Sequence, residues 1–196
     1  MKKISLIAFV FIQFSSVNAQ WTLVLERDSI AVYNRPNHDG YSFYKARVSV
    51  NVPIEKIFSF LVDISRYPEW VNNVDTTILL SAEKNKEYIY YAHYNLPWPV
   101  TNRHAVSRIE VVKKEKNYIE LNSLPAPEFY KDEFQGIAMT RFHENIKLTR
   151  FSSTATMLEL YGAYDSGGVI PSWVNDKVMK FGPYDTIIKL RKKLYE

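Results

Sequence analysis

Four histidines are the first side chains to test for chemistry in this 196-residue chain, because imidazole binds metals and moves protons near neutral pH. They are His38, His93, His104 and His143, and they are scattered along the sequence. The sequence has no H-E-x-x-H motif, no G-x-S-x-G elbow and no glycine-rich phosphate loop. Cysteine is absent, which excludes thiol catalysis and cysteine metal ligands. These observations predict no catalytic residue, no metal site and no cofactor.

Arg103 is the most informative single charge. It begins a predicted strand whose small and apolar face carries Ala105, Ser107 and Ile109 on the same parity. An arginine on a buried face needs a carboxylate, a phosphate or a backbone carbonyl as partner. Two interpretations stay open: Arg103 meets an acidic or phosphate group of a ligand at a cavity mouth, or it ties the preceding proline-rich turn to a neighbouring loop.

Aromatic side chains crowd the preceding predicted strand, residues 87–95. Tyr94 lies on one of its faces, and Tyr91 and His93 lie on the other. Either face could line a cavity, and ordinary packing of aromatic residues in a sheet is the alternative. Tyr91, His93, Tyr94 and Ile109 are therefore candidate ligand contacts.

An antiparallel sheet must position these residues. Alternating apolar residues and turn signals predict strands that are separated by an early helix after Pro53 and followed by a long helix from Pro171. Residues 21–27 are predicted as a short segment of one helical turn, and Gly182-Pro183 is predicted to kink or split the last helix. This order defines an α+β domain. The predicted strands are residues 29–35, 41–52, 76–81, 87–95, 101–113, 118–124, 137–149 and 153–164.

Several stretches, in order along the chain, resemble one family. Trp21 precedes E-R-D-S-I-A-V-Y-N-R at 26–35, and R-Y-P-E-W follows at 66–70. L-P-W-P-V-T-N-R stands at 96–103 and G-G-V-I-P-S-W-V-N at 167–175, with K-L-R at 189–191. Together they resemble the START (lipid-transfer) family of the helix-grip superfamily. The chain departs from the family pattern at His104 and Val71, where the family usually has aspartate.

The resemblance implies a curved antiparallel sheet wrapped around a long C-terminal helix. It also implies a binding protein, not an enzyme, that holds one hydrophobic ligand such as a phospholipid or a sterol-like lipid. Two alternatives stay open. One is a cyclase- or hydratase-like pocket enzyme in which His93 acts with Tyr91 or Arg103, and the other is a binding protein for a small metabolite.

The family's lid helix corresponds here to the segment that starts at Pro171. Residues 165–168 are the predicted hinge, and Val174, Val178 and Phe181 are predicted to face the cavity. A lipid enters a closed cavity only if part of the wall moves. Trp173 either inserts at a membrane interface during this exchange or plugs the core.

The N-terminus predicts export. Lys2 and Lys3 precede an apolar run of about eleven residues, and small residues lead up to Ala19. The run is shorter than the roughly 20 residues that span a bilayer, which disfavours an uncleaved anchor. We therefore expect residues 1–19 to be a signal peptide and residues 20–196 to be one periplasmic or secreted domain.

Charge excludes one class of partner. The formal net charge of +4 includes Lys2 and Lys3, so residues 20–196 carry only about +2. A nucleic-acid-binding protein normally shows a much stronger basic excess. The expected partners are a hydrophobic ligand and, transiently, a membrane, and the expected state is a monomer.

Overall fold

The computed structural model describes residues 20–131, 134, 136–165 and 167–196. The predicted signal peptide and Ser166 of the predicted hinge lie outside the described residues. In the described part of the chain, one curved sheet runs in the order β1-β2-β3-β10-β9-β7-β6-β5-β4, and each neighbouring pair is antiparallel. Its strands are β1 (Thr22–Arg27), β2 (Ile30–His38), β3 (Tyr41–Val50), β4 (Val74–Glu83), β5 (Glu87–Tyr94), β6 (Arg103–Lys114), β7 (Tyr118–Pro125), β8 (Ile137–Ala138), β9 (Arg141–Arg150) and β10 (Thr156–Asp165).

Three α-helices accompany the sheet in the described residues. They are α1 (Ile54–Leu61), α2 (Tyr67–Trp70) and α3 (Ser172–Tyr195), with short 3₁₀ turns at Ile64–Arg66 and Pro127–Phe129. Pro53 precedes α1 as its N-cap, and the apolar side chains Ile54, Ile57, Phe58, Phe60 and Leu61 of this helix are buried. No helix of the described residues has both the length and the apolar character needed to cross a membrane.

The long helix α3 packs against β2, β3 and α2. Ile187, Leu190 and Leu194 of its second half are fully buried in the main core, together with Ile57 and Leu61 of α1. The sheet curves around this helix. The predicted α+β helix-grip fold is therefore confirmed.

Two predictions about strands are wrong in detail. Within the segment 21–27, Thr22–Arg27 form β1 instead of a helical turn. Pairing with β2 satisfies their backbone groups, and Asp28 and Ser29 take the left-handed conformation (φ of 53° and 62°) of a tight hairpin. The predicted strand 137–149 is divided. Its first residues form β8, which pairs in parallel with β6 at Arg103 and His104, and β9 begins only at Arg141.

Helix α3 is not split at Pro183. A proline within a helix removes the N–H that would bond the carbonyl four residues earlier, which here belongs to Met179. The side-chain amide of Asn34 on β2, oriented so that its nitrogen faces acceptors, donates to Met179 O at 3.3 Å. A neighbouring strand thus supplies the missing donor, and the helix continues through the proline.

Candidate functional site

A cavity of about 460 Å³ lies between the concave face of the sheet and the first half of α3. Strands β3, β5, β6, β7, β9 and β10 form its wall, with Tyr67 and Trp70 of α2 at one side and residues 96–100 of the β5–β6 loop at another. Most of the lining is aliphatic or aromatic. The space is of the size used by proteins that enclose small apolar ligands.

Glu144 is an exception in this apolar wall. It lies on the inward face of β9 between Phe142 and Ile146 and contributes to the lining of the cavity. The hydroxyl of Tyr44 donates to its Oε1 at 3.4 Å, and the hydroxyl of Tyr164 donates to the same oxygen. Burial raises the pKa of Glu144, and the two tyrosine hydrogen bonds only partly oppose that effect.

Gly162 makes this arrangement possible. It is the register partner of Tyr44 on β3 and of Glu144 on β9, so it lies between them in the sheet. The rings of Tyr44 and Tyr164 stack with centroids 5.9 Å apart and planes at 9°. A Cβ at position 162 would lie 2.3 Å from the Tyr44 ring and 2.5 Å from the Tyr164 ring. The absent side chain leaves room for both tyrosines beside the carboxyl group.

Three more tyrosines continue the polar part of the wall. Tyr67 donates to the carbonyl of Leu61 at 2.7 Å and packs edge-on against Tyr90, with centroids 5.2 Å apart. Tyr94 follows on the same face of β5. Burial raises the pKa of Tyr67, Tyr90 and Tyr94 above the usual value, so their hydroxyls are uncharged at neutral pH. The polar groups around Glu144 are thus neutral hydroxyls.

Arg103 begins β6 and is 1% exposed. Its guanidinium donates to Gly167 O at 3.0 Å and also to the carbonyl of Thr101. Burial lowers its pKa. Although Arg103 lines the cavity, its bond to Gly167 connects the start of β6 with the loop that leads into α3. This contact agrees with the second interpretation above, in which Arg103 ties the proline-rich turn to a neighbouring loop.

Two tryptophans are placed differently from each other. Trp70 is buried and lines the cavity, whereas the Trp98 side chain in the β5–β6 loop is 92% exposed. The Trp98 ring projects into solvent at the edge of the cavity. Trp173 at the start of α3 is also 63% exposed, so it does not plug the core.

Seven of the predicted ligand contacts lie in the cavity wall, and two do not. Tyr91 stacks on Phe134 at a centroid distance of 4.0 Å, and His93 Nδ1 lies 2.7 Å from Asp75. Because side chains of a strand alternate, Tyr94 in the cavity places both of them on the outer face of β5, so the expectation for these two is corrected. The seven in the wall are Tyr94, Arg103, Ile109, Trp173, Val174, Val178 and Phe181.

Sequence reasoning missed the group formed by Glu144, Tyr44 and Tyr164. A signal was present, because Glu144 interrupts the apolar face of its strand. The sequence pattern did not show that Tyr44 and Tyr164 are the hydrogen-bond partners of Glu144, since the three residues come from three different strands. Among the described residues, no three histidine, aspartate or glutamate side chains are grouped so that they could hold a metal ion.

Comparisons with known proteins agree with this architecture. No family model matches the sequence. An uncharacterised protein from Pseudomonas aeruginosa is 22% identical over 172 residues, which cover 87% of this chain and 85% of that protein.

Solved structures are informative about the fold. A STAR-related lipid transfer protein from Xanthomonas axonopodis superposes with a TM-score of 0.81 at 22% identity, over 90% of this chain and 99% of that one. Human StAR-related lipid transfer protein 5 gives 0.77 at 17% identity, over 93% and 90%. The Zhui aromatase/cyclase from Streptomyces gives 0.59 at 10% identity, over 79% and 94%. The chain therefore has the fold of the START domains.

Proposed function

We propose that this protein is an exported lipid-binding protein that holds one hydrophobic ligand in the cavity beneath α3 and releases it at a membrane. The observation that carries the proposal is the largely apolar cavity of about 460 Å³ between the sheet and α3. Two of the structural relatives are lipid transfer proteins by name. Residues 1–19 support export through their charged, apolar and small-residue segments.

Burial of the ligand supplies the driving force. Each 100 Å² of apolar ligand surface removed from water contributes about 2.5 kcal/mol. Part of this is offset by the loss of ligand freedom on binding. An apolar ligand that fills the cavity therefore binds without any charged contact.

Exchange requires that the wall opens. The first half of α3 carries Val174, Val178 and Phe181 over the cavity, and the exposed rings of Trp98 and Trp173 lie at its edge. Tryptophan is suited to the boundary between water and lipid, because its ring is apolar and its N–H is polar. These features support transient membrane contact during loading and release.

The cavity is tested with a pair of substitutions on β6. Ile109→Trp places a large ring in the cavity, whereas Val112→Trp adds the same ring at an exposed position three residues away. Native mass spectrometry of the protein purified from its own source should show a co-purified lipid in the wild type and in Val112→Trp, and little or none in Ile109→Trp. Circular dichroism shows whether both variants are folded. A folded Ile109→Trp variant that keeps its full lipid load would contradict the proposal.

The pocket-enzyme alternative retains one supporting observation, a carboxyl group held by two tyrosine hydroxyls inside a cavity. His93 and Tyr91 no longer support it, because they lie outside that cavity. An empty cavity in the purified protein, combined with turnover of a small cyclic ketone or ester, would favour the enzyme. Reversible binding of a small polar metabolite without turnover would favour the metabolite-binding alternative.

A further inference from the structure

We infer that Glu144, Tyr44 and Tyr164 form a polar subsite that binds the hydroxyl group of an otherwise apolar ligand, a long-chain or polycyclic alcohol, and that disfavours anionic headgroups. The inference rests on the proposed function, which it deepens by naming the class of ligand.

The two oxygens of the Glu144 carboxyl group differ. Oε1 accepts the hydrogen bonds from Tyr44 and Tyr164. Oε2 accepts none from the residues that the structure describes, and it is not one of their fully buried polar atoms. Since Glu144 lines the cavity, Oε2 is open to whatever occupies it. A polar oxygen in an apolar cavity normally has a hydrogen-bond partner, which a ligand can supply.

The chemistry of this oxygen selects a hydroxyl group. A hydroxyl both donates and accepts, so it satisfies Oε2 whether the carboxyl group is ionised or protonated. An ester or ketone carbonyl only accepts and satisfies the protonated form alone. A hydrocarbon leaves the oxygen without a partner.

The surrounding charges disfavour an anion. The titratable groups that face Glu144 are tyrosines from β3, α2, β5 and β10, namely Tyr44, Tyr67, Tyr90, Tyr94 and Tyr164. No ion pair joins Glu144 to a lysine or arginine of the described residues. A phosphate or carboxylate placed here would lie beside a carboxyl group with no cation bound to it. Arg103 lines the same cavity, but its guanidinium bonds the carbonyls of Thr101 and Gly167.

The test compares three probes of equal chain length: 1-hexadecanol, hexadecanoate and hexadecane. Binding is measured by displacement of a fluorescent fatty alcohol from delipidated full-length mature protein. Wild type should bind the alcohol about tenfold more tightly than the hydrocarbon, as one hydrogen bond in a buried site allows. It should bind hexadecanoate more weakly than the alcohol.

Variants assign the effect to Glu144. Glu144→Leu should bind the alcohol and the hydrocarbon with equal affinity, and Glu144→Gln should keep the alcohol preference and bind hexadecanoate more tightly than wild type does. Glu159→Gln, on the outer face of β10, is the matched control and should behave as wild type. Tyr164→Phe keeps the ring and removes one hydroxyl, so it supplies a second test if Glu144→Leu does not fold, and it should lower the alcohol preference.

The outcomes separate the two proposals. If wild type binds none of the three probes, the proposed lipid-binding function fails. If it binds alcohol and hydrocarbon equally, prefers hexadecanoate, or keeps its alcohol preference in a folded Glu144→Leu variant, lipid binding stands and the hydroxyl subsite is overturned.

Discussion

Gly162 and Glu144 face each other across the β9–β10 pair, and the small residue makes room for the partners of the charged one. The stacked rings of Tyr44 and Tyr164 occupy the space that a side chain at 162 would fill. The position has no left-handed backbone requirement, so its constraint is the close approach of two rings. The glycine is therefore a determinant of the polar group in the cavity.

A single methyl group at this position should be costly. Gly162→Ala forces apart the two stacked rings of Tyr44 and Tyr164, and overpacking of this kind destabilises a protein by about 1–3 kcal/mol. The free energy of unfolding from urea denaturation measures it. Gly182→Ala is the matched control, because its Cβ meets nothing closer than 3.9 Å and alanine favours the helix by about 1 kcal/mol. Equal effects of the two substitutions would contradict the packing argument.

At the scale of elements, the two halves of helix α3 have different contacts. Its second half is anchored in the core by Ile187, Leu190 and Leu194, and its first half covers the cavity. The start of the helix is attached to the sheet by a hydrogen bond between two side chains. The amide nitrogen of Asn175 on α3 donates to the hydroxyl of Ser42 on β3 at 2.9 Å. Arg103 of β6 separately holds the Gly167 carbonyl in the loop that leads into the helix.

A disulfide between positions 42 and 175 should hold the first half of α3 against the sheet and keep the cavity closed. The chain has no cysteine of its own, so Ser42→Cys with Asn175→Cys introduces a single thiol pair. In the oxidised form we expect release of a bound fluorescent lipid to vesicles to slow at least about tenfold, and reduction should restore the rate. Asn175→Cys alone, treated with the same oxidant, is the control. An unchanged release rate in a fully oxidised protein would show that the first half of α3 is not the gate.

At the scale of the whole molecule, burial of Glu144 makes folding stability depend on pH. Its native pKa is raised above the ordinary value of 4.5, so the native state holds this proton more tightly than the unfolded state does. The contribution of Glu144 is therefore fully present below pH 4.5 and is lost as pH rises from there through the native pKa. Exposed carboxyl groups with lowered pKa values, Glu69 and Glu196, act in the opposite direction at lower pH.

A pH series of denaturation midpoints isolates the buried group. The stability advantage of Glu144→Gln over wild type should be constant below pH 4.5 and should grow as pH rises above that value, because glutamine cannot ionise. Glu159→Gln serves as the control. A difference between Glu144→Gln and wild type that does not change with pH would mean that the carboxyl group is not buried in solution.

Much of the fold was predictable because its signals are local. Alternation marked most strands, Pro53 marked the start of α1, and the parity of Arg103 with Ile109 identified the inner face of β6. The face of β5 was not predictable, since both faces carry aromatic residues and only packing shows that Tyr94 lies inside and Tyr91 outside. The segment 21–27 was misread, because the six residues of β1 become a strand only when a partner strand satisfies their backbone.

The sequence by itself determined which residues share a face, where helices begin and that the chain forms an α+β domain, because these properties depend on neighbours within a few positions. Only the tertiary structure decided that Glu144 meets Tyr44 and Tyr164 over Gly162, and that Asn34 bonds the carbonyl which Pro183 leaves without a donor. Both arrangements join residues more than 15 positions apart. Their energies come from desolvation and close packing, which exist only once the strands and α3 have come together.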